Sequence, residues 1–323
     1  MKNILLLLLL SGCAAIIPSE PTARIEFMAP EAYPEGIAYH PSANVYYVSS
    51  ARTGTIGKVT AEGIYEPLYI DPDLKSSYGL KMHPEGKILF VCVADANYSK
   101  YSTPATKKKM SRLVSIDVAT GKKIRDIDLA SLVPGEHFAN DLTVDSTGNV
   151  YITDSFANVI YKVTPDGKAS VFADNPLFKT TGVGLNGIVT HPEGYLLTVS
   201  SGTGTLYKID MQNPSSVQKV MTDQYFINGD GLYLTNDGSL VLVQNGGSNK
   251  IYKLTSETNW QTAKIDSTTL AGDRFAYPTT ATVAKDEKVW VMNAKFNELT
   301  DSSSVLSKKF SMQHARFLPV LKK

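Results

Sequence analysis

The chain has 323 residues, 43% of them hydrophobic and 20% charged, which is enough apolar material to bury a large core as one repeat-built domain or two ordinary ones. Its 32 Lys and Arg against 31 Asp and Glu leave a formal net charge of only +1, which argues against the broad basic surface that nucleic-acid binding needs. The one basic run, Lys107-Lys108-Lys109, reads as a solvated loop, and two cysteines make no disulfide framework.

Residues 1–12 read as a secretory signal of the lipoprotein type. Lys2 supplies a short positive region, residues 4–10 an apolar core too short to span a bilayer, and Ser11-Gly12 stand directly before Cys13. This arrangement resembles the bacterial lipoprotein processing box, in which the cysteine is acylated and becomes the mature N-terminus; the alternative is an ordinary signal peptide with a chance cysteine. Export from the cytoplasm follows on either reading, and a place in the cell envelope on the lipoprotein one. Residues 13–24, with Pro18 and Pro21, are the expected tether, holding the protein to a membrane through the lipid on Cys13, in the outer membrane if the cell is a diderm. Cys92, in the apolar run 88–93, is expected to be a small core residue.

From residue 25 to 323 a single repeat-built domain is expected. Residues 137–168 hold the clearest unit: Leu142 and Val144, Val150 and Ile152, and Ile160, Tyr161 and Val163 form short β-branched and aromatic runs. Ser146-Thr147-Gly148, Ala157-Asn158 and Pro165-Asp166-Gly167 separate them, predicting three strands on tight turns and a fourth over 169–173. The repeat opens at Glu35-Gly36, Tyr78-Gly79, Asn140-Asp141, Asn186-Gly187 and Asp230-Gly231, and more weakly at Thr279. These openings lie about 40 to 60 residues apart, the range for propeller blades, so the fold class is all-β, a six-bladed β-propeller of four-stranded antiparallel blades. Closing the ring requires residues 25–28 and 310–320 to complete shared blades. Residues 95–112 are expected to be an insertion over the mouth of the channel, and His40, His83 and His191 are turn residues.

First strands of propeller blades line the central channel, so Glu35, Tyr78, Asn140, Asn186, Asp230 and Thr279 should converge on one axis. Two carboxylates and two carboxamide oxygens there make a hard-oxygen cage of charge minus two, suited to one divalent cation, Ca²⁺ first and Zn²⁺, Mn²⁺ or Mg²⁺ after it. Glycine after three of these four residues lets the strands crowd together. Tyr78, Tyr98 and Tyr101 are candidates to contact a ligand, and Asp154 reads as a turn residue.

These pairs, Glu35-Gly36, Asn140-Asp141, Asn186-Gly187 and Asp230-Gly231, resemble the metal-binding positions of the SMP-30/gluconolactonase/LRE-like family. The resemblance runs from about residue 29 to 292. It implies that Glu35, Asn186 and Asp230 are metal ligands, with Asn140 a ligand or a substrate contact through water, and that Asp230 is also the general base of lactone or ester hydrolysis. Sugar-lactone hydrolases of the family carry Arg two residues before the blade-three Asn, whereas this chain has Phe138, which donates no hydrogen bond. An apolar or aromatic lactone or ester is therefore the expected small-molecule partner, with His137 a candidate for part of the missing polarity. The expectation is a metal-dependent, lipid-anchored, monomeric lactonase or esterase. The alternative is a non-catalytic envelope propeller that binds a ligand or partner and uses the ion only to brace its channel.

Overall fold

The computed structural model describes residues 23–320, so the signal segment, Cys13 and almost all of the tether lie outside the described residues. Arg24, expected to end the tether, is already the first residue of a strand. The described residues form six antiparallel sheets, five of four strands and one of five. Blade one runs through Ile37–His40, Val45–Val48, Ile56–Thr60 and Tyr65–Tyr69, and blade two through Ser76–Met82, Ile88–Ala94, Ser111–Asp117 and Lys123–Asp128. Blade three comprises Ala139–Val144, Val150–Asp154, Val159–Val163 and Ala169–Asp174; blade four comprises Leu185–His191, Tyr195–Ser200, Leu206–Asp210 and Val217–Val220. Blade five follows with Gly229–Leu234, Leu240–Gln244, Lys250–Thr255 and Lys264–Thr268, and the short strand Leu318–Pro319 pairs along its outer edge.

Both ends of the chain complete blades, as ring closure requires. Blade six takes Pro278–Val283, Val289–Asn293 and Lys309–His314 from the C-terminal part, and Arg24–Met28 as its outer strand, with Phe27 opposite Phe310. Phe27 is almost fully buried and stacks on Tyr65 of blade one at 6.1 Å, so the closing strand also bonds apolar surface of the neighbouring blade. Burying a side chain of this kind contributes roughly 1.5–3 kcal/mol. Between blades the sheets meet through apolar layers such as Tyr151, Ile160, Ile188 and Leu196, and Val241, Val243, Val289 and Val291. Cys92 is a buried free thiol in another of these layers.

The insertion is shorter than expected. Arg112 pairs with Asp128 inside the third strand of blade two, so the inserted residues are 95–110. They are pinned: Asp95 Oδ2 accepts from the Ser102 and Thr106 hydroxyls at 2.8 and 2.6 Å, and Ser99 donates to the Lys75 carbonyl at 2.6 Å. Lys107 and Lys109 are exposed, as a solvated loop should be.

One feature of the inner strands positions the side chains at the axis. In blades two to six the pairing of the first strand with the second is interrupted between Ser77 and Leu80, Ala139 and Leu142, Leu185 and Ile188, Gly229 and Leu232, and Pro278 and Ala281. Each irregularity spans the residue expected to face the axis. A bulge leaves a residue unpaired and re-aims its side chain, here toward the channel. Crowding is severe at these points: a Cβ on Gly36 would lie 2.3 Å from the Tyr78 carbonyl oxygen, and one on Gly187 would lie 2.3 Å from that of Asp230. Only glycine allows adjacent blades to approach so closely.

Candidate functional site

Glu35, Tyr78, Asn140, Asn186 and Asp230 line one cavity of about 110 Å³ at the channel mouth, together with Ser201, Asn228, Asn245 and the aromatic rings described below. Thr279 does not join them. Its hydroxyl donates to the Glu35 carbonyl at 2.7 Å and staples blade six to blade one.

A hydrogen-bond relay orients the two carboxamides. Ser155 donates its hydroxyl proton to the Leu185 carbonyl at 2.5 Å, and Ser201 does the same to the Gly229 carbonyl at 2.5 Å. A carbonyl cannot donate, so each hydroxyl has only lone pairs left for its other partner. Asn140 and Asn186 must therefore present their NH₂ groups to Ser155 and Ser201, at 2.9 and 3.1 Å, which turns both amide oxygens away from the serines. Asn245 plays the corresponding part in blade five, donating to Asp230 Oδ2. Glu35 is held differently: Ser49 Oγ accepts from the backbone N–H groups of Glu35 and Gly36.

Three polar atoms of this group are buried without a hydrogen-bond partner, Glu35 Oε2, Asn186 Oδ1 and the Tyr78 hydroxyl. Orphaned buried acceptors are costly in a folded protein. Burial pushes the Glu35 carboxyl well above its usual range, with the charges of Asp230 and Asp141 adding to the shift and the nearby Thr280 hydroxyl opposing it. Burial likewise pushes Asp230 up, with Asp141 adding and hydrogen bonds from Asn245 and Asn186 opposing. Two buried carboxylates in one cavity resist being ionised together unless a positive charge joins them. Among the described residues no three or more His, Cys, Asp or Glu side chains cluster as a metal cage, so a cation here would depend on amide oxygens. The all-oxygen donor set, its two carboxylates and its orphaned acceptors fit a hard divalent cation.

Above the carboxylates the walls are aromatic. Tyr78, Tyr98, Phe138, Tyr277 and Phe296 all line the cavity. Tyr78 meets Phe138 edge to face at 4.6 Å, and Phe296 packs on Tyr98 at 4.8 Å and on Tyr277 at 5.7 Å. Tyr98 reaches the mouth from the insertion. Tyr277 holds a left-handed backbone with φ of 52°, a strained conformation for a bulky residue and one that clusters at functional sites.

Two expected contacts stand elsewhere. His137 is no loop surface residue and does not line the cavity: it is buried, with Nδ1 2.9 Å from Asp154 Oδ2. Asp154 also accepts the backbone N–H groups of Phe138 and Ala157, at 2.8 and 3.0 Å, so the pair anchors the segment that carries Phe138. Tyr101 lies in the insertion outside the cavity, with the Lys100 ammonium 5.4 Å from its ring. His40, His83 and His191 each accept a backbone N–H two or three residues on, the turn role expected of them. Sequence reasoning missed Ser155, Ser201, Tyr277 and Phe296. The serines were detectable, because 140 and 155, 186 and 201, and 230 and 245 share one spacing; Tyr277 and Phe296, on loops, carry no periodic signal.

No protein-family model matches the chain, and no curated protein matches it in sequence. Among solved structures it is similar to the Malassezia sympodialis allergen Mala s 1, with TM-score 0.70 and 16% identity over 91% of this chain and 96% of that one. A luciferin-regenerating enzyme gives TM-score 0.62 at 13% identity, covering 91% and 96% of the two chains. A protein provisionally described as a gluconolactonase gives 0.59 at 15%, covering 94% and 96%. At these identities the likeness shows the shared propeller fold, the fold that the resemblance to the SMP-30/gluconolactonase/LRE-like family implies.

Proposed function

We propose that the protein is a divalent-cation-dependent hydrolase of lactones or related esters with an apolar or aromatic body. The observation that carries this reading is the pair of orphaned buried acceptors, Glu35 Oε2 and Asn186 Oδ1, in one cavity with Asp230 beneath a set of aromatic rings. Glu35, Asn140, Asn186 and Asp230 would hold the cation, Ca²⁺ before Zn²⁺, Mn²⁺ or Mg²⁺ given the oxygen donors. A bound divalent cation supplies positive charge against the negative charge that develops on a carbonyl oxygen under attack. The chain's own residues do the rest. Asn245 donates to Asp230 Oδ2 and so fixes the carboxylate that would accept a proton from an attacking water. Tyr78, Phe138 and Phe296 exclude solvent and hold the flat body of the substrate, and the Phe138 ring offers sugar hydroxyls no donor. The fold shared with a protein described as a gluconolactonase supports the lactone class. Export and anchoring through an acylated Cys13 belong to the same proposal and rest on the residues around that cysteine.

The test is turnover of a panel of sugar, aliphatic and aromatic lactones and aryl esters by the purified protein, with each cation or with chelator. Cation-dependent hydrolysis that favours aromatic over sugar rings is expected. No turnover with any cation, alongside a cation-dependent rise in melting temperature, would replace this reading with a binding scaffold braced by its ion.

A further inference from the structure

The channel has a second end, and its chemistry is opposite to that of the first. A separate cavity of about 150 Å³ is lined by the lower parts of the inner strands, including Ile37, Leu80, Lys81, Leu142, Leu232 and Tyr233. Lys81 is half-buried there, and among the described residues its ammonium makes no hydrogen bond and no ion pair. It lies 4.9 Å from the centre of the Tyr233 ring, a cation–π contact that holds the charge inside the channel without using any of its three N–H donors. Other lysines of the chain, such as Lys58, Lys100 and Lys253, reach a carboxylate within 2.7 to 3.1 Å.

Asp141 lines the same cavity, but its carboxylate serves the backbone. Oδ1 accepts the Leu142 N–H at 2.8 Å, and the Ile188 N–H further favours its charged form. Burial lowers the basicity of Lys81, and the charge of Asp141 only partly restores it. The walls around this cation combine the aliphatic side chains of Ile37, Leu80, Leu142 and Leu232 with the hydroxyls of Thr280 and Thr282.

We propose that this lower cavity is a binding site for a small carboxylate with a short aliphatic tail, its oxygens on the Lys81 ammonium and its tail against Ile37, Leu80, Leu142 and Leu232. A cavity of about 150 Å³ admits a ligand of butyrate size. Its occupancy does not require hydrolysis at the upper mouth.

The experiment uses butyrate on the full chain and reads lysine reactivity by reductive methylation and peptide mass spectrometry. Butyrate is expected to slow modification of Lys81 severalfold and to leave the exposed Lys107 and Lys109 unchanged. It is also expected to raise the melting temperature of the wild type and not that of Lys81→Met. Equal labelling of Lys81 with and without butyrate would overturn the site, and the labelling result decides the matter if Lys81→Met fails to fold. Equal protection by inorganic phosphate would overturn the aliphatic tail as part of the recognised chemistry.

Discussion

Blades three and four open on asparagines whose amides are fixed by a serine of the next strand, whereas blades two and six place Tyr78 and Thr279 at the same point of the repeat. The bulge is common to all four, so the backbone device that aims a side chain at the axis is indifferent to what it aims. Chemistry then divides the blades. Blades one, three, four and five supply oxygen acceptors, blade two supplies a ring to the wall, and blade six spends its hydroxyl on ring closure. Position in a repeat thus places the backbone at the axis, and only the hydrogen bonds of a side chain reveal what it is for.

The largest effect expected from breaking this division is at blade five. Asp230→Asn keeps an acceptor for Asn245 and so should fold, but it removes the proton acceptor and one of two carboxylates. Turnover should fall by about 10²–10⁴, the range for loss of a general base, with an unchanged far-UV spectrum. A variant that kept wild-type turnover would remove Asp230 from the mechanism.

Next in size is the response to pH. Glu35, Asp230 and Asp141 all have carboxyls raised by burial, Asp141 to about 6. In the unfolded chain they release their protons nearer the ordinary values of 4.5 and 3.8. Between those values and the raised ones the folded state binds more protons, so stability is fully present at low pH and falls as pH rises through the window. In chelator, the melting temperature attributable to these groups should decline from about pH 4.5 toward neutrality, and Ca²⁺ should restore it at neutral pH while adding little in acid. A Ca²⁺ effect of the same size at both ends of the range would count against a carboxylate site.

A smaller effect separates the asparagine blades from blade six. Ser201→Ala frees the Asn186 amide and leaves the Gly229 carbonyl without its donor, which should cost about 1–3 kcal/mol in denaturant unfolding and weaken cation binding as well. Thr279→Val also removes a buried hydrogen bond, at about 1 kcal/mol, yet should leave cation affinity alone because its hydroxyl serves only the Glu35 carbonyl. Calorimetric titration with Ca²⁺ distinguishes the two, and equal affinities for both variants would sink the orienting role of Ser201.

Much of the fold was legible because turns and apolar triplets recur at blade spacing, and because a ring must hide its last edge. The four acceptors were legible for the same reason, each opening a blade. What stayed hidden is non-local. The bulges depend on how closely neighbouring strands approach, and nothing around Phe296 or Tyr277 announces that their loops fold over the axis. His137 misled because it stands next to Phe138 in the chain, whereas its ring turns away from the cavity. The buried Asp154 that captures it lies across the blade, visible in sequence only as a turn residue.

The smallest expected effect is the one that fixes the boundary between ligand blades and wall blades. The Tyr78 hydroxyl is buried and has no hydrogen-bond partner, although the ring is well packed against Phe138. If blade two is only wall, Tyr78→Phe keeps the ring contact and discards an unsatisfied polar atom. Stability should then hold or rise by up to about 1 kcal/mol, since replacing an unpaired buried hydroxyl removes a desolvation penalty. Ca²⁺ affinity should be unchanged, and KM for an aromatic lactone should move little because the ring that meets it is retained. A fall in Ca²⁺ affinity would instead make Tyr78 a fifth oxygen of the proposed site, and the orphaned hydroxyl would then have the explanation we propose for Glu35 Oε2 and Asn186 Oδ1: an acceptor kept free for a cation.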